Sequence, residues 1–232
     1  MHNNYKKFYT KSIQLIAVRQ NGDFMKGYRI SLIRHGLTEA NDKGIYIGCR
    51  SDYSLSVKGM SQLINKMDEF DYPKVQRVYS SPLKRCTETA GIIFPYREIQ
   101  IVENMTELDF GEFDGKNVQE LIDREDYKEW LQGKSTDKRA PGGESMEELI
   151  VRLYKGMHEI IMDMMNEELT HCAVITHSGI ITNILSAFGI PKIDPKELTC
   201  DPGEGFEIIV TAQMWQQSQA FEILGKIPYY KE

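Results

Sequence analysis

The chain has 232 residues, enough for one large domain or two small ones, and its hydrophobic content of 41% is ordinary for a globular protein. A net charge of −6 argues against a nucleic-acid partner, and no apolar run is long enough to span a membrane. The four cysteines are scattered without a Cys-x-x-Cys pair, so the sequence predicts reduced thiols in a cytoplasmic protein rather than a cysteine metal site.

Residues 1–26 look unlike the rest of the chain and are predicted to be an N-terminal extension. Lysines precede a short apolar run there, which is too short and too mixed for a signal peptide. Asn21-Gly22 is typical of a hairpin turn, although a frayed arm would fit the same residues. Residues 27–232 are predicted to form a single domain.

The first core strand is predicted over residues 28–33, and Arg34-His35-Gly36 follows where that strand ends. A helix is predicted next, and then a second strand over residues 75–80. Ser81 is predicted to cap the following helix, because a serine followed by a proline is typical of a helix start. Arg85 then lies near the first turn of this helix, from which it can lean toward the end of the strand.

The second half of the chain continues the alternation of strands and helices. A short strand leads into an acidic loop that contains Glu107, and residues 117–140 are predicted to form an irregular helical insertion. Ser145 and Glu148 are spaced as a capping box at the start of a long helix. A further apolar strand ends at His177, a helix follows it, and two more strands close the chain.

This alternation predicts an α/β fold of three layers, α/β/α, with a mostly parallel central sheet and a helical insertion over the active site at about residues 112–142. Four polar side chains each follow a predicted strand and are therefore expected at the carboxyl edge of the sheet, where ligands bind: His35, Arg85, Glu107 and His177. Together with Arg34, these residues are two histidines, two arginines and one carboxylate. Such a set suits an anionic phosphate ester better than a metal ion.

At these positions the chain resembles the histidine phosphatase superfamily, also called the phosphoglycerate mutase-like family. Five motifs carry the resemblance, and they occur in the family's order between residues 28 and 212. They are Arg34-His35-Gly36-x-Thr38-x-x-Asn41, Ser80-Ser81-x-Leu83-x-Arg85, Glu107 before Phe110-Gly111, Gly143-Glu144-Ser145, and Thr176-His177-x-Gly179.

The resemblance implies that His35 attacks phosphorus and becomes a phosphohistidine, with no metal and no cofactor. It implies that Glu107 protonates the leaving oxygen and then deprotonates the attacking water. It also implies a set of side chains that hold the phosphoryl oxygens: Arg34, Asn41, Arg85 and His177, together with His35 itself. The positive charge of the arginines should favour the neutral form of His35 that the attack requires.

Two alternatives to a phosphatase stay open at this point. In the mutases of the family an Arg directly follows the general-acid Glu and a Tyr comes two residues after that Arg, whereas this chain has Leu108 and Phe110 there, with Asp109 between them. Lys138-Arg139 partly resembles a later basic pair of the mutases. A non-catalytic regulator that binds a phosphate ligand is disfavoured, because such proteins lose a histidine or the pocket arginine that this chain keeps.

We therefore expect a metal-independent phosphomonoester hydrolase that acts on a small phosphorylated metabolite, with no nucleic-acid or membrane partner and with a homodimer left open. The motifs after Glu107 look most like those of the broad-specificity and α-ribazole phosphatases, which makes α-ribazole phosphate a candidate substrate. Phe110, Phe113 and Trp130, with Tyr127, are predicted to form an aromatic wall for a ring-bearing leaving group. Burial of these rings in the core is the alternative.

Overall fold

The computed structural model describes residues 17–231 except 21, 22, 136 and 138. Its strands are β1 (Ala17–Gln20), β2 (Asp23–Arg34), β3 (Phe70–Asp71), β4 (Arg77–Ser80), β5 (Ile99–Ile101), β6 (His171–Thr176), β7 (Gly189–Ile190), β8 (Gly205–Thr211), β9 (Phe221–Ile227) and β10 (Tyr229–Tyr230). Its helices are α1 (Glu39–Asp42), α2 (Val57–Glu69), α3 (Lys84–Ile93), α4 (Val118–Leu121), α5 (Glu125–Leu131), α6 (Met146–Asn166), α7 (Ser178–Phe188) and α8 (Ala212–Ser218). None of these described helices is both long and apolar enough to cross a membrane.

The central sheet has the strand order β5-β4-β6-β2-β8-β9-β7, and β1 pairs with β2 outside this path. Strands β5, β4, β6 and β2 are parallel to one another, whereas β8 runs antiparallel to both β2 and β9. The predicted mostly parallel sheet is therefore confirmed. Because β2, β4 and β6 are parallel neighbours, their carboxyl ends meet at one edge of the sheet.

Helices cover both faces of this sheet, which confirms the three-layer α/β/α architecture. One face packs against α6, α7 and α8 through side chains such as Leu153, Ile181 and Trp215, all of them buried. The other face packs against α2 and α3 through Leu63 and Ala90. Burial of these apolar faces supplies the main driving force for the fold.

The capping box predicted for α6 is present, but the predicted start of α3 is wrong. Ser145 Oγ accepts a hydrogen bond from the Glu148 N–H (3.1 Å), and the Glu148 carboxylate accepts one from the Ser145 N–H (2.8 Å). Helix α3 begins at Lys84, with Leu83 at the cap position and no side-chain cap. Ser81 lies two residues before this cap position; its hydroxyl accepts a hydrogen bond from the Leu83 N–H (3.4 Å) and lies 2.9 Å from His177 Nε2.

Part of the segment predicted as an N-terminal extension belongs to the sheet. Strand β1 pairs antiparallel with the start of β2, with Ala17 opposite Lys26 and Gln20 opposite Asp23. This pairing supports the hairpin interpretation, although Asn21-Gly22 and residues 1–16 lie outside the described residues.

The residues between β5 and α6 form the predicted irregular helical insertion, which contains α4 and α5. It has a small core of its own, built on Phe113, Leu121 and Tyr127. The insertion is joined to the loop after α1 by a bridge between Ile45 and Asn117. The loop after α1 also reaches the carboxyl edge of the sheet, where its carbonyls accept hydrogen bonds from Arg85.

Candidate active site

His35 lies directly after β2, at the carboxyl edge of the sheet, and its side chain is 5% exposed. Its main-chain N–H donates to the carbonyl of Thr176 (2.9 Å), and the next N–H, that of Gly36, donates to Thr89 Oγ1 (2.9 Å). A Cβ at Gly36 would lie 2.7 Å from Leu63 Cδ1 and 3.1 Å from Leu55 Cδ2, so a larger residue here would force these side chains to shift. The loop is thus held rigidly against β6 and α3.

The tautomer of His35 follows from its hydrogen bond. Nδ1 lies 2.7 Å from the carbonyl oxygen of Gly36, and a carbonyl can only accept, so Nδ1 carries the proton. Burial, followed by the charge of Arg85, lowers the pKa of His35 to about 3; the hydrogen bond to Gly36 opposes this shift, and the charge of Arg34 adds a smaller lowering. His35 is therefore neutral at neutral pH, and the lone pair on Nε2 remains available as a nucleophile.

His177 lies beside His35, with the two ring centroids 5.2 Å apart. Arg85 Nε donates to His177 Nδ1 (3.3 Å), and because an arginine only donates, Nδ1 must accept. Nε2 of His177 then carries the hydrogen and donates to Ser81 Oγ (2.9 Å). Burial, His35 and Arg85 lower the pKa of His177, so this imidazole is neutral as well.

Arg85 is fully buried, although it carries a positive charge. Its guanidinium donates to two main-chain carbonyls of the loop after α1, those of Ser51 (2.8 Å) and Gly48 (3.2 Å). No carboxylate among the described residues lies within 4.0 Å of its nitrogens. A buried cation without an anionic partner is costly, and an anionic ligand at this edge would supply the missing charge.

Arg34, at the end of β2, resembles Arg85 in this respect. One of its terminal nitrogens donates to the carbonyl of Cys200 (2.8 Å), and its buried Nε has no hydrogen-bond partner among the described residues. None of the ion pairs of the described residues involves its guanidinium. Two arginines with unused donors thus converge beside a neutral histidine.

Glu107 lies in the loop after β5, and its side chain is 12% exposed. Oε1 accepts from the Leu108 N–H (2.9 Å), and Oε2 lies 4.0 Å from His177 Nδ1. Burial raises the pKa of Glu107 above its usual value, even though the Leu108 N–H and the arginines, Arg85 foremost, oppose the shift. The carboxyl therefore holds its proton to a higher pH than an ordinary glutamate, as a general acid should.

Asn41 has a structural task in addition to the predicted one. Its side-chain oxygen accepts from both the N–H (3.1 Å) and the hydroxyl (2.9 Å) of Thr38, which closes the capping box of α1. These bonds use the oxygen of the amide and leave its NH₂ group as the donor for a ligand.

The predicted aromatic residues occupy two different environments. Phe113 is fully buried in the core of the insertion, next to Tyr127, and has no surface to present to a substrate. Phe110 and Trp130 are only partly buried and pack against this core, with ring centroids 6.1 Å apart. The alternative of core packing therefore describes Phe113.

Three residues of the site have roles that sequence reasoning did not find. Ser81 bonds His177, and it was mistaken for a helix cap. Arg152 and Glu144 form an ion pair behind Glu107, with Nε 2.8 Å from Oε1. Glu144 belongs to a recognised motif but had no assigned partner, and nothing distinguishes Arg152 from any other helical arginine in the sequence.

Comparison with known proteins identifies the family to which this chain belongs. The model of the histidine phosphatase superfamily (branch 1) matches residues 30–220, and the chain belongs to this superfamily. A putative phosphoserine phosphatase 2 of Hydrogenobacter thermophilus is 30% identical over 172 residues, which cover 71% of this chain and 82% of the relative. The adenosylcobalamin/alpha-ribazole phosphatase of Escherichia coli is 24% identical over 170 residues, covering 70% and 80% of the two chains.

Solved structures agree with this assignment at the level of the fold. The crystal structure of the alpha-ribazole phosphatase from Shigella flexneri matches with a TM-score of 0.68 at 19% identity, covering 84% of this chain and 94% of that one. Given the family and the phosphatases among its relatives, the chain is an enzyme of the phosphomonoesterase class.

Proposed function

We propose that this protein hydrolyses the phosphate monoester of a small metabolite through a phosphohistidine on His35. One observation carries the proposal. The imidazole is neutral, its Nδ1 is hydrogen-bonded to Gly36 so that Nε2 is free, and the two arginines whose charges act on it have no carboxylate partner among the described residues. Such a centre attracts a phosphate group and presents a nucleophile to it.

In the first step His35 Nε2 attacks phosphorus and the bond from phosphorus to the leaving oxygen breaks. Glu107 gives its proton to that oxygen, so the product departs as an alcohol. In the second step water attacks the phosphohistidine, Glu107 takes a proton from the water, and the bond between nitrogen and phosphorus breaks to release inorganic phosphate. Glu107 ends the cycle protonated and His35 ends it neutral.

We infer that the arginines stabilise the phosphoryl group as it transfers, and that His177 joins them by turning its Nε2–H from Ser81 to a phosphoryl oxygen. Arg85 is held by the loop after α1 and by His177, so its charge is oriented before substrate binds. Preorganised donors in a buried site stabilise developing charge more than water does, because they need no reorganisation during the reaction. We infer that Arg34 and Asn41 complete this set.

A hydrolase fits the residues around Glu107 better than a mutase, which must also bind a second phosphate. Leu108, where the mutases have Arg, packs against the large core. Asp109 forms an ion pair with Arg50 (2.8 Å), so that arginine is already neutralised. Arg139 is paired with Glu148 (3.3 Å), and Lys138 lies outside the described residues. Arg50 and Arg139 are thus both paired with carboxylates and are not free to bind a second phosphate.

The substrate is proposed from the relatives and from the aromatic residues. α-Ribazole phosphate is the first candidate, since alpha-ribazole phosphatases are among the relatives and Phe110 and Trp130 keep some exposed surface near the acidic loop. Phosphoserine is the second candidate, because a relative that is 30% identical over 71% of this chain is named as a putative phosphoserine phosphatase.

We also propose that the chain has a single main domain and that the protein is cytoplasmic. Residues 27–232 are taken as one domain, because β2 near the start and β9 near the end belong to the same sheet. The four cysteines are free thiols, which supports a reducing cytoplasmic compartment.

The test is hydrolysis of p-nitrophenyl phosphate in excess EDTA by the native protein, by His35→Ala and by a control, His158→Ala. His158 is exposed on α6 and lies outside the site. Turnover by the native protein and the control, with none by His35→Ala, is the expected result. Equal turnover by all three proteins, or none from folded native protein, would overturn the proposal.

A further inference from the structure

Arg152, in the second turn of α6, uses every N–H of its guanidinium in a hydrogen bond. Nε and one terminal nitrogen donate to the two carboxylate oxygens of Glu144, each at 2.8 Å. The other donors reach the main-chain carbonyls of Asn104 (2.8 Å), Thr106 (3.0 Å) and Glu107 (3.4 Å). An arginine has five such hydrogens, so none is left over.

The three main-chain hydrogen bonds of Arg152 all converge on the short segment that carries Glu107. The same loop is held from the opposite side by Thr176, whose hydroxyl donates to the carbonyl of Met105 (2.7 Å). Glu144 adds a further link, because its N–H donates to the carbonyl of Asp109 (3.0 Å). The loop is thus clamped between the end of β6 and the first turns of α6.

We propose that Arg152 and Glu144 are a positioning pair that holds Glu107 in place for proton transfer to the leaving group. The inference rests on the proposed function, in which Glu107 is the general acid. Neither residue of the pair touches the reacting atoms. Both act through the backbone of the loop, where an error of about 1 Å in the place of a catalytic group can cost about 100-fold in rate.

The pair also sets the charge around Glu107. The groups that face this carboxyl are Arg85 from α3, Arg34 from β2, His177 after β6 and Arg152 from α6, and the arginines lower its pKa against the effect of burial. Glu144 offsets the charge of Arg152. Removing the charge of Arg152 should therefore raise the pKa of Glu107, and removing the charge of Glu144 should lower it.

The experiment compares two substrates that differ in their need for a proton. p-Nitrophenolate leaves without protonation at neutral pH, whereas the alkoxide of glycerol 2-phosphate must be protonated as it leaves. The variants are Arg152→Gln, Arg152→Lys and Glu144→Gln. The matched control is Arg77→Gln, which breaks a similarly buried ion pair with Asp163 (2.6 Å) near the far end of α6.

We expect the Arg152 and Glu144 variants to lose about 10- to 100-fold in kcat/KM with glycerol 2-phosphate and less than about 3-fold with p-nitrophenyl phosphate. The basic limb of the pH profile of kcat/KM should move to higher pH in Arg152→Gln and to lower pH in Glu144→Gln. Arg152→Lys keeps the positive charge but cannot form the two parallel hydrogen bonds to Glu144. It should therefore lower kcat/KM without shifting the basic limb of the pH profile. Because each variant is compared with the native protein on the same substrate, ionisation of the substrate affects both pH profiles equally.

Equal losses on both substrates, or the same pattern in Arg77→Gln, would show that the pair only stabilises the fold and would overturn the proposal. If Arg152→Gln does not fold, Glu144→Gln and Arg152→Lys decide by the same criteria. Glu107→Gln separates the two levels of inference: if this variant shows no difference between the substrates, the role of Glu107 as general acid fails, and with it this part of the proposed function.

Discussion

Strand β6 has a histidine at each end, and each of these histidines lies in a cluster beside a serine and a glutamate. At the carboxyl end, His177 bonds Ser81 (2.9 Å) and lies 4.0 Å from Glu107. At the amino end, His171 lies 3.0 Å from Ser31 Oγ and 3.1 Å from a carboxylate oxygen of Glu207.

The clusters differ in how their charges are paired. At the amino end Glu207 is 3% exposed, and its carboxylate accepts from the Tyr229 hydroxyl (2.6 Å) and from Arg29. Burial would raise the pKa of Glu207, but hydrogen bonds from His171, Tyr229 and Arg29 outweigh burial and lower it. At the carboxyl end the opposite holds, because burial outweighs the arginines and raises the pKa of Glu107.

This difference separates a structural cluster from a reactive one. Around Glu207 the carboxylate and Arg29 neutralise each other within the protein, so this cluster needs no anionic ligand, although Arg29 Nε, like Arg34 Nε, has no hydrogen-bond partner among the described residues. Around His35 the cations Arg85 and Arg34 have no anionic partner among the described residues, so the cluster is complete only when an anion binds. Changes at the carboxyl end should therefore alter activity, and changes at the amino end should alter stability.

The largest effect is expected from Arg85→Gln at the carboxyl end. Loss of the buried charge should lower kcat/KM for p-nitrophenyl phosphate by about 10³-fold, the scale of losing a preorganised donor to the developing charge. We also expect inorganic phosphate to raise the melting temperature of the native protein and not that of Arg85→Gln. The matched control is Arg29→Gln at the amino end, for which we expect activity to be unchanged; a comparable loss of activity in the control would break the comparison.

Glu207→Gln should have the next largest effect, and it should act on stability. The variant leaves the partly buried Arg29 without its carboxylate partner, so the free energy of unfolding should fall by about 2 kcal/mol in urea titrations at neutral pH, with kcat/KM within about 2-fold of native. Because the folded pKa of Glu207 is lowered, this stabilisation exists above the unfolded pKa and is lost as pH falls through the folded pKa. The gap between variant and native protein should therefore close in acid, and a gap that persists there would contradict the pairing.

The smallest effects come from the two serines, which form a matched pair. Ser81→Ala removes the hydroxyl that bonds His177 Nε2 and should lower kcat/KM by about 10-fold with little change in stability. Ser31→Ala removes the equivalent hydroxyl beside His171 and should lower the free energy of unfolding by about 1 kcal/mol with unchanged activity. Loss of activity in both variants would show that the two ends are not separate.

The positions of the main site residues could be predicted because they depend on local pattern and topology. His35 and His177 each follow an apolar strand, and parallel strands bring their carboxyl ends together, so the sequence sufficed to place both at one edge. The N-terminus of α6 could also be predicted from the sequence, because Ser145 and Glu148 lie within one turn of the helix and form its capping box.

The remaining features depend on contacts between distant residues, which pattern does not reveal. Burial is the largest cause of the low pKa of His35, and burial is a property of the packed fold. Arg152 reaches carbonyls 45 to 48 residues away in the chain. The Ser81 hydroxyl accepts a local bond from the Leu83 N–H, but its bond to His177 joins residues 96 positions apart. Phe113 likewise faces the core of the insertion, a choice that hydrophobicity alone does not settle.

The most direct test of the central claim is to trap the phosphoenzyme. Native protein is mixed with phosphorylated substrate, quenched in base within the first turnover, digested and analysed by mass spectrometry for the phosphorylated residue. The account predicts phosphate on His35 in the native protein and none in His35→Ala. Phosphate on His177 or on any other residue, or a native enzyme that turns over without a phosphorylated intermediate, would contradict it.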